Sequence, residues 1–172
     1  FAHDLGIFNG TTQFMAVDGL HEAYLENELV SLKMGDVNKI DFHNEAAFVD
    51  TGSPHYLKFV NDLENYPVIH NGSNIRHSFR EGGTNANFLE MKGNTLHVRT
   101  FERGVEDETW SCGTGVTAAA LYTANATGKH VVPIQTKGGQ LEVRFEKLTD
   151  GHFKDIYLTG PAKCVFAGNL DI

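Results

Sequence analysis

A thiol stands in Trp110-Ser111-Cys112-Gly113-Thr114-Gly115, directly ahead of the small apolar run Val116 to Thr127. Val116, Ala118, Ala119, Ala120, Leu121, Ala124 and Ala126 point all round a helix, and Gly128 stops it. Cys112 therefore falls at a helix N-terminus, where unpaired N–H groups and the positive end of the dipole favour anions. Two chemistries follow: a thiolate is stabilised there, and the Gly113 and Thr114 N–H groups can hold a substrate carboxylate, with glycine letting it approach the backbone closely. Cys164, by contrast, shares a strand face with Ala162 and Phe166 and reads as core packing.

Three further stretches carry candidate groups. Gly52-Ser53-Pro54-His55 is a turn that presents a histidine at a strand end. Glu81-Gly82-Gly83-Thr84-Asn85 is a glycine-rich loop leading into a strand, and Asn85 offers both a donor and an acceptor. Glu102 and Arg103 are adjacent opposite charges at a strand end, suited to an ammonium and a carboxylate together. Gly113 to Ala118 also fits the dinucleotide fingerprint G-x-G-x-x-A, but charged and polar residues precede it where a buried parallel strand belongs. None of the nine histidines forms a ligand pair of metal-binding spacing, so no metal and no cofactor is expected.

The elements that must position these groups are mostly strands. Strand patterns run over Gln13 to Val17, Glu22 to Glu26, Leu29 to Met34, Ala46 to Asp50, His55 to Val60, Asn85 to Met91 and Thr95 to Phe101. They continue over Val131 to Lys137, Leu141 to Phe145, Phe153 to Thr159 and Ala162 to Phe166. Asp18-Gly19, Gly93-Asn94, Gly138-Gly139 and Asp150-Gly151 are hairpin signals, so most strands are antiparallel neighbours. The expected fold is α+β, a curved, mostly antiparallel sheet wrapped around the buried helix that Cys112 opens. A weaker helix is expected over Asp62 to Tyr66, before a polar loop His70 to Asn74, and Phe1 to Gly6 reads as the tail of a helix.

Composition narrows the function. Fourteen Lys and Arg against 22 Asp and Glu give a net charge of −8, and no stretch gathers the cations that nucleic acid requires. No apolar run approaches the roughly 20 residues of a membrane span. Two cysteines make no disulfide framework and fit a reducing, cytoplasmic compartment. The sequons at Asn9, Asn71 and Asn125 read as chance matches. Two activities suit these residues: hydrolysis with Cys112 as nucleophile and His55 as base, or carboxylate binding without catalysis.

The sequence resembles the diaminopimelate epimerase family. The matching residues are Gly52-Ser53-Pro54-His55, Thr84-Asn85, Glu102-Arg103-Gly104, Glu108-Thr109, Cys112-Gly113-Thr114-Gly115 and Gly160-Pro161-Ala162. The family often carries Asn where Ser53 stands. The resemblance implies a two-half fold, each half a sheet closed around a helix, with the substrate in the cleft between them. It implies interconversion of LL- and meso-2,6-diaminopimelate by two thiols without pyridoxal phosphate, as a step of lysine biosynthesis. Cys112 would be one catalytic thiol, with His55 and Glu102 modulating the cysteine pKa values. Asn85, Glu102, Arg103, Gly113 and Thr114 would contact substrate. Residues 37–160 would form one half, and 1–36 with about 161–172 a remnant of the other. The second thiol would lie upstream of Phe1, in an N-terminal segment that acts as partner to this chain. A homodimer is compatible with this reading.

Overall fold

Leu141, Val143 and Phe145 alternate with Glu142, Arg144 and Glu146, which makes one strand face apolar. The structure, a computed structural model that describes residues 1–17 and 19–169, buries Val143 and Phe145 and leaves the three charged residues exposed. This strand, β11 (Gly139–Lys147), pairs antiparallel with β10 (Val131–Thr136) and with β12 (Phe153–Pro161). The remaining strands are β1 (Thr11–Ala16), β2 (Gly19–Glu26), β3 (Leu29–Lys33), β4 (Asp41–His43), β5 (Ala46–Asp50), β6 (Pro54–Phe59), β7 (Asn85–Lys92), β8 (Thr95–Glu102) and β9 (Asp107–Thr109). They form one sheet in the order β1-β2-β3-β12-β11-β10-β8-β7-β6-β5-β4, with β9 on β8 beside that path.

Two neighbouring pairs are parallel, β6 with β7 and β8 with β10. Parallel neighbours need a long crossover, and each crossover here contains a helix: α1 (Val68–Ser78) and α2 (Gly113–Thr127). α2 packs against β5, β6, β7, β8, β10, β11 and β12, so the sheet curves around it. Val116, Ala118, Ala119, Ala120, Leu121 and Ala124 are all buried. Alanine on successive turns lets the strands approach closely, while Val116 and Leu121 each contribute about 2 kcal/mol of burial. Gly128 ends α2 in the left-handed region at φ 67°, its N–H bonded to the Ala124 carbonyl at 2.8 Å. Among the described residues no helix is long and apolar enough to cross a membrane.

Several local expectations change. The weak helix expected over Asp62 to Tyr66 is a turn, and the polar loop at His70 to Asn74 is instead part of α1. Its apolar stripe is narrow: Val68 and Gly72 are buried and Ile75 packs partly beneath them, so the polar majority masks the period. A Cβ at Gly72 would meet Phe101 Cβ at 2.2 Å, which shows how closely α1 lies on β8. The strand expected over Ala162 to Phe166 does not form. β3 pairs only as far as Leu29 against Pro161 and β11 as far as Glu142 against Thr159, so the run beyond has neither neighbour. Cys164, expected in the core, is consequently exposed. Phe1 to Ile7 make one hydrogen-bonded turn with Gly6 at φ 71°, the Gly6 N–H on His3 and the Ile7 N–H on Ala2, a bonding pattern of helix C-termini. Asp18, of the first hairpin signal, lies outside the described residues.

Candidate active site

β5 and β6 are antiparallel with Asp50 opposite Pro54, leaving three residues to reverse the chain. Gly52 does this at φ 92°, a conformation rarely open to a side chain. The turn delivers His55 into the interior, fully buried beside Asn85 in the parallel β6–β7 register. Asn85 then joins three distant motifs. Its Nδ2 donates to Ser53 Oγ at 2.9 Å and to the Pro54 carbonyl at 3.1 Å, and its Oδ1 accepts the Arg103 N–H at 2.8 Å. Thr51 Oγ1 donates to the Thr114 carbonyl at 2.9 Å, tying the same turn to the start of α2.

Cys112 is the N-cap residue of α2, extended at φ −126° and ψ 108°, and its carbonyl accepts the Val116 N–H at 2.9 Å. The N–H groups of Gly113, Thr114 and Gly115 therefore have no partner within the helix. Cys112 Sγ lies 3.6 Å from Thr114 Oγ1, which lies 2.9 Å from His55 Nε2. On the far side, Asn87 Nδ2 is 3.1 Å from His55 Nδ1 and 3.0 Å from the Tyr56 carbonyl, while Thr100 Oγ1 donates to Asn87 Oδ1 at 2.9 Å. A Cβ at Gly115 would come within 2.5 Å of Asn87 Oδ1 and 3.3 Å of Cys112 Sγ. This close approach is a requirement that spacing alone does not show.

The electrostatics overturn one expectation. Burial raises the Cys112 thiol above its ordinary pKa, and the charge of Glu102 adds to that. The Thr114 hydroxyl and the Thr114 and Gly115 N–H groups pull it down without prevailing. The resting group is a thiol, because desolvation of a charged sulfur outweighs the helix terminus. Cys112 is also buried, whereas Cys164 is exposed. His55 is pushed down to about 3 by burial first and by the Arg103 charge second, against an opposing hydrogen bond from Asn87. It is neutral and reaches Cys112 through Thr114, an arrangement that does not suit a base activating a nucleophile directly.

Of the residues that stand out in the sequence, Cys112, His55, Asn85, Glu102, Arg103, Gly113 and Thr114 all belong to the ends of β6, β7, β8 and α2. Cys164 does not join them. Sequence reasoning misses Asn87, Thr51 and Thr100. The one signal for Asn87 is its place two residues after Asn85, hence on one face of a strand whose other residues there are apolar. The G-x-G-x-x-A match follows the three-residue β9, paired antiparallel with β8, and so lacks the parallel strand of a dinucleotide fold. Among the described residues no three His, Cys, Asp or Glu side chains converge as metal ligands.

Residues 47–165 match the family model described as diaminopimelate epimerase. The chain is 43% identical to a diaminopimelate epimerase of Flavobacterium psychrophilum, with 96% of this chain and 67% of that protein covered. It is 38% identical to one of Chlorobaculum tepidum, with 100% and 71% covered. The chain thus spans about two thirds of the length of these relatives. Among solved structures it is similar in fold to a phenazine biosynthesis protein of the PhzF family from Bacillus anthracis, with a TM-score of 0.72, 12% identity and 93% and 69% of the two chains covered. It is similar also to a hydroxyproline epimerase from Agrobacterium vitis with bound trans-4-hydroxy-L-proline, with a TM-score of 0.69, 17% identity and 93% and 61% covered.

Proposed function

The chain belongs to the diaminopimelate epimerase family and is an amino-acid epimerase, and from that premise we propose that Cys112 is one of two thiols that exchange the α-proton between LL- and meso-2,6-diaminopimelate. The observation that carries this reading is the thiol at the N-cap of α2, beside N–H groups with no partner in the helix. Inversion requires one group to take the α-proton as another delivers a proton to the opposite face. In the carbanion, charge spreads onto the carboxylate, which the Gly113 and Thr114 N–H groups stabilise. Held protonated by burial and Glu102, Cys112 starts as the proton donor in one direction and becomes the base in the other. Arg103 and Glu102 address the substrate's carboxylate and ammonium, and Asn85 orients them through the Arg103 N–H.

The second thiol is supplied from outside residues 1–172, by a segment that faces the α2 terminus. Residues 37–160 form the half that carries Cys112, while 1–36 and about 161–172 belong with the other. Two acid–base groups suffice, so the reaction calls for no pyridoxal phosphate or metal. Two free thiols support work in the cytoplasm. Diaminopimelate in deuterated water tests this against both alternatives. An epimerase gains deuterium at the α-carbon with inversion, a hydrolase forms an acyl-thiol with a suitable ester, and a binding module leaves its ligand unchanged. Binding without exchange by the enzyme with both thiols present overturns the proposal.

A further inference from the structure

Asn87 is fully buried and has every polar function engaged. Both its donors are committed, one to the Tyr56 carbonyl and one to His55 Nδ1. Its Oδ1 cannot turn to the histidine, because it accepts from Thr100 on the opposite side and a flipped amide would set oxygen against the Tyr56 carbonyl. A histidine whose Nδ1 accepts a hydrogen bond carries its proton on Nε2. Nε2–H then donates to Thr114 Oγ1, and the Thr114 hydroxyl proton is left to point at Cys112 Sγ, 3.6 Å away. We propose that Asn87 is a positioning residue of the reaction: it fixes the Nε2–H tautomer of His55, and so directs the whole chain Thr100–Asn87–His55–Thr114 to donate toward the Cys112 sulfur.

The direction of donation matters because a hydroxyl that donates to sulfur favours the thiolate over the thiol, whereas one that accepts does not. With His55 in the other tautomer, Thr114 would donate to Nε2, and the sulfur would lose the only side-chain hydrogen bond it has among the described residues. The other charged groups that act here are Glu102 on Cys112 and Arg103 on His55, from the end of β8. Neither is altered by substitutions at Asn87 or Thr114. The inference depends on the proposed function only in treating Cys112 as the reacting thiol. Its readouts use no substrate, so they fail or hold independently of α-proton exchange.

The first readout needs no variant. Nitrogen-15 NMR of the His55 ring at neutral pH shows a protonated Nε2 and a bare Nδ1; a protonated Nδ1 overturns the proposal. The second is the pH profile of Cys112 alkylation by iodoacetamide in a Cys164→Ser background. Asn87→Leu and Thr114→Val each move the profile to higher pH and slow alkylation at neutral pH by about fivefold to tenfold, since a tenfold loss of thiolate corresponds to one pKa unit. Thr114→Ser restores the wild-type profile. The double variant Asn87→Leu/Thr114→Val is no slower than the slower single variant, because both act through one path. A wild-type profile in Thr114→Val, or additive effects in the double variant, overturns it. If Asn87→Leu fails to fold, the His55 tautomer and the Thr114 pair decide alone.

Discussion

Replacing Gly115 by alanine sets two effects of opposite sign against each other at the start of α2. Alanine gains up to about 1 kcal/mol over glycine in a helix, and Gly115 has no positive φ to hinder it. The new methyl group, however, would sit 2.5 Å from Asn87 Oδ1 and 3.3 Å from the Cys112 Cβ and Sγ. Asn87 cannot recede without giving up its bonds to Tyr56, His55 and Thr100. Overpacking of this kind costs typically about 1–3 kcal/mol, so overpacking wins and the variant loses about 1–2 kcal/mol. For a protein of this size that lowers the melting temperature by about 4 °C. Two companions calibrate the result. Gly35→Ala, with nothing within 4 Å of the new atom, stays within about 0.5 kcal/mol of wild type. Gly72→Ala, against Phe101 Cβ at 2.2 Å, falls further than Gly115→Ala. Calorimetry of the three variants checks the order, and a Gly115→Ala that melts at or above wild type refutes the close packing of Asn87 on α2.

The side chain of Glu108, in a half-buried residue, is 6% exposed and bonded by Arg99 at 2.6 Å and Lys137 at 2.8 Å. Burial raises its pKa, but these cations more than offset that, and the net direction is down. Such a depressed carboxylate stabilises the fold above its unfolded pKa and stops doing so as pH falls through the folded one. Lys137 is about half exposed and water screens its part of the pairing, so Glu108→Gln costs about 1 kcal/mol at neutral pH, and denaturant titrations show the gap to wild type closing below pH 4.5. His55, lowered to about 3, binds no proton in the fold while the unfolded chain binds one below about 6.5; its contribution to stability is thus lost as pH drops from 6.5 toward 3. NMR titration shows no His55 midpoint near 6.5. Arg103→Ala weakens substrate capture and leaves the melting temperature nearly unchanged, its side chain being exposed, whereas Asn85→Ala, buried with three hydrogen bonds, loses about 2 kcal/mol of stability as well. Melts beside binding isotherms separate the two.

Legibility differs with the physics behind each element. α2 and its terminus are readable because an all-round apolar run ending in glycine fits little besides a buried helix, and the hairpin β10–β11 because period-two alternation is local. α1 is not, because its buried stripe is only Val68, Gly72 and part of Ile75, and glycine contributes no hydrophobic signal. β9 is hidden behind its acidic residues, of which Glu108 turns its side chain inward to pair with cations from β8 and from the turn after β10. At the site, Cys112, His55 and Asn85 stand out through glycine-rich surroundings. Asn87 shares its strand face with the apolar Leu89 and Met91, and its role depends on two neighbours far away in sequence, Thr100 and Gly115. The direction of the Cys112 pKa is a competition between burial and a helix terminus, and burial is a tertiary property that sequence position does not carry.

Whether Cys112 moves the α-proton is decided by the rate of α-deuterium incorporation into diaminopimelate in deuterated water, compared between the enzyme with both thiols and its Cys112→Ala variant. A melting curve establishes that the variant is folded. Loss of exchange by at least about a hundredfold in a folded variant is predicted, the contribution expected of a positioned acid–base group. Exchange at the wild-type rate in Cys112→Ala would contradict it.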